Sequence, residues 1–538
     1  MSHPDSTAAL PAGHFLALPP TFSNDQRTSL TTESHAGLGT APNVASLAAA
    51  DFDVDVRTGF LPSGTNVARL PAPYDVWEDA LDAASGDGPG LGVRLGGGRP
   101  SDDAWRAAVA NMPALDIGGL VTLPLLRRAH SALAFLCHFY VHSARPTTVP
   151  APIEIPASIS IPLLATSPLV GLPPVLTYAD TVLWNVQPAD LTRCINMVDN
   201  PPIKTLCTFT NTKSEAGFWL VSAECEAAGA AALSLMRQSL DELFLGDDLA
   251  LRRLAVYLRK LSDQIDLIGD ITLRMMTEVD PEEFYHVLRP WFKGGDADGP
   301  NSPGWVFLGV DDSLLMEAEN RVSGSSAGRK FSGPSAGQSS LVHAFDVFLT
   351  VDHGARADED AQTVSGEGVQ PDSAPITLNN TPIHPDSPAE DAKPADQPRV
   401  VEATYLQRML QYMPLPHRTF LMHLASHPKP LRSVVLAHKD THPALADAYD
   451  GALAALRRFR DKHMRVVTRY IVQQARHEAT PRVLALLGRA TDEPAVTAPP
   501  KAGVDDDGLR GTGGTPLVRF LKRCRDNTSR AMVIDEKA

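Results

Sequence analysis

Several things are scarce in this chain, and each shortage removes a class of explanation. There is no basic excess: 48 Lys and Arg stand against 63 Asp and Glu in 538 residues, for a formal net charge of −15. Nucleic-acid affinity comes largely from Lys and Arg on phosphates, so no nucleic-acid partner is expected. Cysteine is sparse, with only Cys137, Cys194, Cys207, Cys225 and Cys524. They are odd in number, scattered, and never in a C-x-x-C pair. That pattern argues for reduced thiols rather than a disulfide framework or a zinc site. Long clean apolar runs are missing too. The longest candidate, around 153–176, is interrupted by prolines at 156, 162, 168, 173 and 174, whereas a membrane helix needs roughly 18–20 apolar residues in a row. The N-terminus lacks the basic-then-apolar layout of a secretory leader. A soluble, cytoplasmic protein without a membrane partner is expected.

What is present is mostly helical pattern. The length suits two to four domains and a large core. Residues 1–50, rich in Ser, Thr, Ala, Pro and Gly, read as a flexible tail. "PYDVWEDALDAA" reads as a helix. Residues 85–103 are Gly-rich but do not satisfy G-x-G-x-x-G, and Pro89 sits inside, so they read as a loop or insertion. Helices are expected over 120–142, 173–186 and 338–353, and through most of 218–276. Within that last stretch Leu254, Leu258, Leu261, Ile265 and Ile268 form an amphipathic stripe. "DPEEFYHVLRP" (280–290) reads as a short helix with Asp280 as N-cap, Pro281 at N1 and Pro290 at its end. Residues 355–398 carry nine Asp/Glu, two Lys/Arg and seven Pro, so they read as an acidic disordered insertion. Helices resume at 401–413, 416–426 and 443–475. A loop over 495–514 and a last helix over 515–532 follow. The fold class is mainly α. A smaller, mostly helical N-terminal domain (51–210) precedes a large all-α domain (211–538).

One histidine stands out, in "FRDKHMRVVTRYI" (459–471). Tyr449, Ala452, Leu456, Phe459, His463, Val466 and Tyr470 recur at alternating steps of three and four, which is one face of a long helix. His463 therefore points where the apolar residues point. It is either a core histidine bonded to a carbonyl or a metal ligand, and spacing alone leaves both readings open. His423 and His427 have the i, i+4 spacing of a helical zinc pair, but no H-E-x-x-H is present and Pro428 ends the helix. His130, His138, His286 and His343 are expected to be structural or exposed.

Several stretches then stand together in one order: "TYADTVLWN", "GFWLVSAECEAAGA", "FYHVLRPWFKG", "GPSAGQSSLVHAFDVFL", "YMPLPHRTFLMHL", the His463 helix and "GTGGTPLVRFLKRCRD". This set closely resembles the indoleamine 2,3-dioxygenase family, haem enzymes that open the indole ring of tryptophan. The Pro-rich tail and acidic insertion resemble its fungal branch.

The resemblance implies a role for each matching residue. His463 would be the proximal ligand of a haem b iron. Arg460, one turn earlier, would meet a haem propionate and pair with Asp346. A carboxylate that fixes a guanidinium fork is a sound arrangement for that task; a plain structural salt bridge is the other reading. Ser335, Ala336 and Gly337 would open a helix, with backbone N–H groups facing a propionate or the substrate. Ser222 would lie on the distal side without acting as a general base. Tyr178, Thr181, Val182, Phe218, Phe284 and Tyr285 would line the indole pocket, and ordinary core packing is their alternative. Arg289 would grip the substrate carboxylate. Ala336 would also touch substrate, and Thr512 in "GTGGT" would reach its ammonium or a propionate.

The implied function is insertion of O2 across the indole C2–C3 bond of L-tryptophan, giving N-formylkynurenine and opening the route to kynurenine and NAD. Related indoleamines would be further substrates. An electron donor would keep the iron ferrous (Fe2+), and a monomer is expected. Two alternatives remain: a non-catalytic haem or tryptophan sensor, and a helical interaction scaffold without haem.

Overall fold

The computed structural model describes residues 52–146, 151–298, 302–310, 328–353, 405–488 and 517–534. The tail 1–50, the acidic stretch 355–398, the loop 495–514 and Thr512 lie outside the described residues.

The fold is mainly helical. Its first helices are α1 (Asp75–Ser85), α2 (Pro100–Ala110) and α3 (Leu123–His142). The short strand β1 (Ile153–Ile155) leads into α4 (Ala157–Val170), and β2 (Val186–Pro188) and β3 (Pro202–Thr205) follow. Two long helices come next, α5 (Lys213–Leu245) and α6 (Asp248–Leu273), then β4 (Trp305–Phe307) and α7 (Ser340–Phe348). The chain closes with α8 (Leu415–Ala425), α9 (Leu431–His438), α10 (Pro443–Val467) and α11 (Leu517–Arg530). β1 pairs in parallel with β4, placing Ile153 beside Trp305. β2 and β3 form an antiparallel pair with Val186 opposite Thr205.

The core is the stack of α5, α6 and α10. Leu254, Leu258, Leu261, Ile265 and Ile268 are all buried, so the stripe read from spacing faces inward. On α10, Tyr449, Ala452 and Leu456 are sealed in the same core. Polar ties fix the register on the outer side. Arg458 Nε donates to Asp266 Oδ1 at 2.9 Å, and Ser262 Oγ donates to the Gly451 carbonyl at 3.1 Å. Helix α5 also meets α7 closely: a Cβ on Gly229 would run into the Leu341 side chain. By length and composition α5 is long and apolar enough to cross a bilayer, a run the sequence reading missed, but 61% of its apolar window is buried inside this protein.

Four expectations change. First, α4 forms where prolines suggested a break. A proline inside a helix costs about 3 kcal/mol or more, and α4 contains Pro162 and Pro168. Its buried face, Ile159, Leu163 and Val170, offsets that cost by packing against α3. Thr166 and Ser167 bond back to the Pro162 and Leu163 carbonyls at 2.6 and 2.7 Å. Second, the Gly-rich stretch ends in helix: Pro100 opens α2, and the Arg99 amide donates to Asp102 at 2.9 Å, closing a cap. Third, no long helix spans 173–186, where only a π-helical turn over Ala179–Leu183 forms. Asp180 stops it extending backward by accepting from the Thr177 amide at 2.9 Å and hydroxyl at 2.7 Å. Fourth, Pro290 does not end the 280–290 segment. Asp280 does cap it, accepting from the Glu282 and Glu283 amides. A π-turn over Phe284–Leu288 and a 3-10 turn over Arg289–Phe292 then carry the chain past the proline.

Leu258→Ala in the α5–α6–α10 core should lower unfolding free energy by about 2–5 kcal/mol. Val256→Ala on the exposed side of α6, where Val256 is 43% exposed, should stay within about 0.5 kcal/mol of the parent. Urea unfolding followed by circular dichroism checks both.

Candidate functional site

α10 presents His463 from the side of the helix that carries the core residues. The imidazole is half-buried. Burial, then the positive Arg460, pushes its pKa down to about 4. The ring is therefore neutral at pH 7, the state in which imidazole binds metals. Among the described residues no hydrogen-bond partner meets it. The core-histidine reading required a carbonyl partner, and the described residues give none.

One turn earlier, Arg460 is buried and makes two bonds to Asp346 on α7, from Nη2 to Oδ1 at 2.6 Å and to Oδ2 at 2.7 Å. Its Nη1 donates to the Thr528 hydroxyl on α11. His353 Nε2 lies 3.1 Å from Asp346 Oδ2, and the Asn527 amide meets His353 Nδ1 at 3.3 Å. Burial alone would raise the Asp346 carboxyl, but Arg460 and His353 hold it well below the usual carboxylate range. Burial opposes protonation of His353, yet Asp346 raises its pKa to about 9.

The aromatic residues expected around the substrate come together. The Phe218 and Phe284 rings lie 4.9 Å apart between centroids, and Phe284 meets Tyr470 edge-on at 5.8 Å. Phe292, which sequence reasoning did not single out, stacks on Phe218 at 6.0 Å. Tyr470 follows α10 in a π-turn over Thr468–Val472, so this chain of rings runs from the His463 helix to α5. The Arg289 guanidinium lies 5.5 Å from the Tyr285 ring centroid. Arg289 is deep in the protein, and burial lowers its pKa from the ordinary value. Ser222, half-buried, turns its hydroxyl back to the Phe218 carbonyl at 2.9 Å.

The other expected residues are placed as follows. Thr181 and Val182 are fully buried, and the Thr181 hydroxyl bonds the Thr177 carbonyl at 3.0 Å. Tyr178 is also buried. The Ser335–Gly337 segment does not open α7 directly. Ser335 caps a 3-10 turn over Ala336–Gln338 that includes Ala336 and Gly337, and Ser339 is the N-cap of α7. Ser335 Oγ lies 2.9 Å from the Tyr405 hydroxyl and accepts from the Gly337 amide at 3.2 Å, while Ala336 is exposed. Sequence reasoning also missed Glu226, Gln338 and Ser339. The signal for the last two lay inside the quoted S-A-G-Q-S-S stretch.

Of the other histidines singled out from the sequence, His130, His138, His286 and His343 are all buried. His130 Nδ1 bonds Asp180 at 2.8 Å, His138 Nδ1 meets the Trp291 carbonyl at 2.8 Å, and His343 Nε2 meets the Gly337 carbonyl at 2.9 Å. His286 is buried. His423 packs 5.4 Å from Phe52, and His427 Nδ1 lies 3.0 Å from the Lys429 carbonyl. Among the described residues no three His, Cys, Asp or Glu side chains are arranged to hold a metal ion. A lone His463 suits a metal that brings its other ligands with it.

The family model described as indoleamine 2,3-dioxygenase matches residues 48–531. The chain belongs to that family. It is a dioxygenase of mainly helical fold. It is 30% identical to an indoleamine 2,3-dioxygenase of Saccharomyces cerevisiae, over 89% of this chain and 92% of that protein. It is 29% identical to an indoleamine 2,3-dioxygenase of Aspergillus candidus, over 89% and 96%. A Fusarium equiseti protein named 6-hydroxytryptophan 2,3-dioxygenase is 27% identical over 88% of this chain and 96% of its own.

Two outcomes follow for the Arg460 cluster. Asp346→Asn leaves a buried guanidinium without its counter-charge and should cost about 3–5 kcal/mol, read as a fall in urea midpoint. The pH dependence is signed. The raised His353 pKa means its contribution is complete below the ordinary 6.5 and is lost as pH rises through about 9. The depressed Asp346 contribution is present above the ordinary 3.8 and is lost as pH falls below it. Thermal unfolding against pH should show an alkaline decline that His353→Gln flattens.

Proposed function

We propose that this dioxygenase binds haem b through His463 and opens the indole ring of L-tryptophan between C2 and C3, yielding N-formylkynurenine with both atoms of O2. The observation that carries the reading is the His463 ring: neutral, half-buried on the core side of α10 and without a partner among the described residues. Those are the properties an iron ligand needs, and a half-satisfied core histidine would be costly. Haem bound there would supply the activation of dioxygen and hence the ring-opening chemistry. Arg460, anchored by Asp346, is the residue we assign to a propionate.

The chain's own part is binding, orientation and exclusion of water. Phe218 and Phe284 offer apolar faces to the indole, and Tyr285 and Arg289 sit on the same short segment as Phe284. Arg289 would hold the substrate carboxylate with two parallel hydrogen bonds. With the ring against the aromatic wall and the carboxylate fixed, the C2–C3 bond has one orientation. Ser222 adds a small polar wall whose proton is already committed to the Phe218 carbonyl. A reductant that keeps the iron ferrous is implied.

The name of the Fusarium equiseti relative favours one second reading, a ring-hydroxylated tryptophan as substrate.

Protein expressed with haem supplied should show a Soret band that His463→Ala removes, with helical content retained. Reduced protein under air should accumulate N-formylkynurenine from L-tryptophan. A higher kcat/KM for 6-hydroxytryptophan would favour the second reading, and a Soret band without product would point to a sensor. Arg289→Lys, which cannot form the paired bonds, should raise KM roughly 10–100-fold, as expected for loss of about 1.5–3 kcal/mol from a charged hydrogen bond.

A further inference from the structure

Three segments far apart in sequence meet at one buried side chain to which the proposed reaction gives no role. Glu226 lies on α5, one turn beyond Ser222 and two beyond Phe218, and is buried. Its Oε1 accepts from the Tyr178 hydroxyl at 2.9 Å and from the Ser339 hydroxyl at 2.7 Å. Its Oε2 is equally buried and has no hydrogen-bond partner among the described residues. A second tie runs parallel to the first. Gln338 Oε1 accepts from the Tyr178 amide at 2.8 Å, and its Nε2 donates to the Gly333 carbonyl at 2.8 Å. Tyr178 is thus held to the 333–339 segment at both its backbone and its hydroxyl.

Resting on the function proposed above, we infer that Glu226 is a positioning residue of the substrate pocket: its carboxyl group holds Tyr178, at the start of the Ala179–Leu183 turn, against Ser339, at the end of the Ala336–Gln338 turn, at a fixed spacing. The chemistry supports a neutral acid in this place. A buried carboxylate with one oxygen unbonded is poorly solvated, and the neutral acid avoids that penalty. Burial pushes the Glu226 pKa up to about 7, although the hydrogen bonds from Ser339 and Tyr178 pull it down. The titratable groups that face it are the Tyr178 phenol and, on its own helix, the Cys225 thiol. Burial raises both, so both are uncharged at neutral pH. Ser339 on the third element does not titrate. A negative charge on Glu226 therefore meets no counter-charge from these groups and strains the junction. The neutral-acid form is favoured at low pH and is lost as pH rises through about 7.

The test uses the full-length protein loaded with haem. Tryptophan affinity is measured from the Soret shift, and KM and kcat from product, across about pH 5.5–8.5. Glu226→Gln keeps an accepting oxygen for both hydroxyls and cannot ionise. It should bind tryptophan as the wild type does at the acid end and lack the wild type's weakening above about 7. Glu226→Ala should raise Kd and KM about five- to thirty-fold at every pH, with haem content retained and kcat changed less. A Glu226→Gln profile that keeps the wild-type pH dependence overturns the inference, and so does Glu226→Ala with wild-type affinity. If the alanine variant does not fold, the comparison of wild type with Glu226→Gln decides alone. A wild type with neither Soret band nor tryptophan binding fails earlier, at the functional reading, and takes this inference with it.

Discussion

The buried pair of Arg460 and Asp346 is the constraint on which the site depends. Arg460 projects from α10 into a region where an unpaired charge would be very costly. Asp346 on α7 and Thr528 on α11 both meet it, and His353 backs the carboxylate. Three helices separated in sequence are thereby fixed around one guanidinium. His463 stands three residues further along α10, so the pair sets the rotation of the helix that aims its imidazole. The same charge helps keep that imidazole neutral. One ion pair thus contributes to where the proposed ligand points and to the protonation state in which it waits.

Irregular helix recurs where the site residues lie. π-turns occupy Ala179–Leu183, Phe284–Leu288 and Thr468–Val472. A π-turn inserts an extra residue into the helical path, and such turns gather at functional sites because they redirect side chains. Here they carry Thr181 and Val182, then Phe284 and Tyr285, then Tyr470. The last two turns touch through the Phe284 and Tyr470 rings. The long helices α5, α6 and α10 supply the frame, and the site residues on these turns are braced against it. Tyr178, just before the first turn, is braced by Gln338 and Glu226.

Much was legible before any coordinates. The three-and-four spacing of Leu254 to Ile268 and of Tyr449 to Tyr470 specifies which faces of α6 and α10 are buried, because a helix must turn its apolar stripe inward. Asp280 and Pro281 marked a helix start for reasons of local capping. The pairing of Arg460 with Asp346 came from family resemblance, not from spacing, since 114 residues separate them. The helix α4 was illegible because its prolines argue against it locally, and only burial against α3 outweighs that argument. The Glu226 junction was illegible for a related reason: nothing in the order Tyr178, Glu226, Ser339 announces that three polar groups will share one buried point.

Sequence by itself determined the helical class, the inward faces of the core helices and the identity of the groups available for chemistry, because periodicity and side-chain type are local properties. Tertiary structure decided which of those groups meet. It left the His463 ring without a partner among the described residues and gathered Phe218, Phe284, Phe292 and Tyr470 into one wall. It also buried Thr181 and Val182 completely. Contacts between distant segments depend on how whole helices pack, and packing is settled by the summed burial of many residues, which no single stretch encodes.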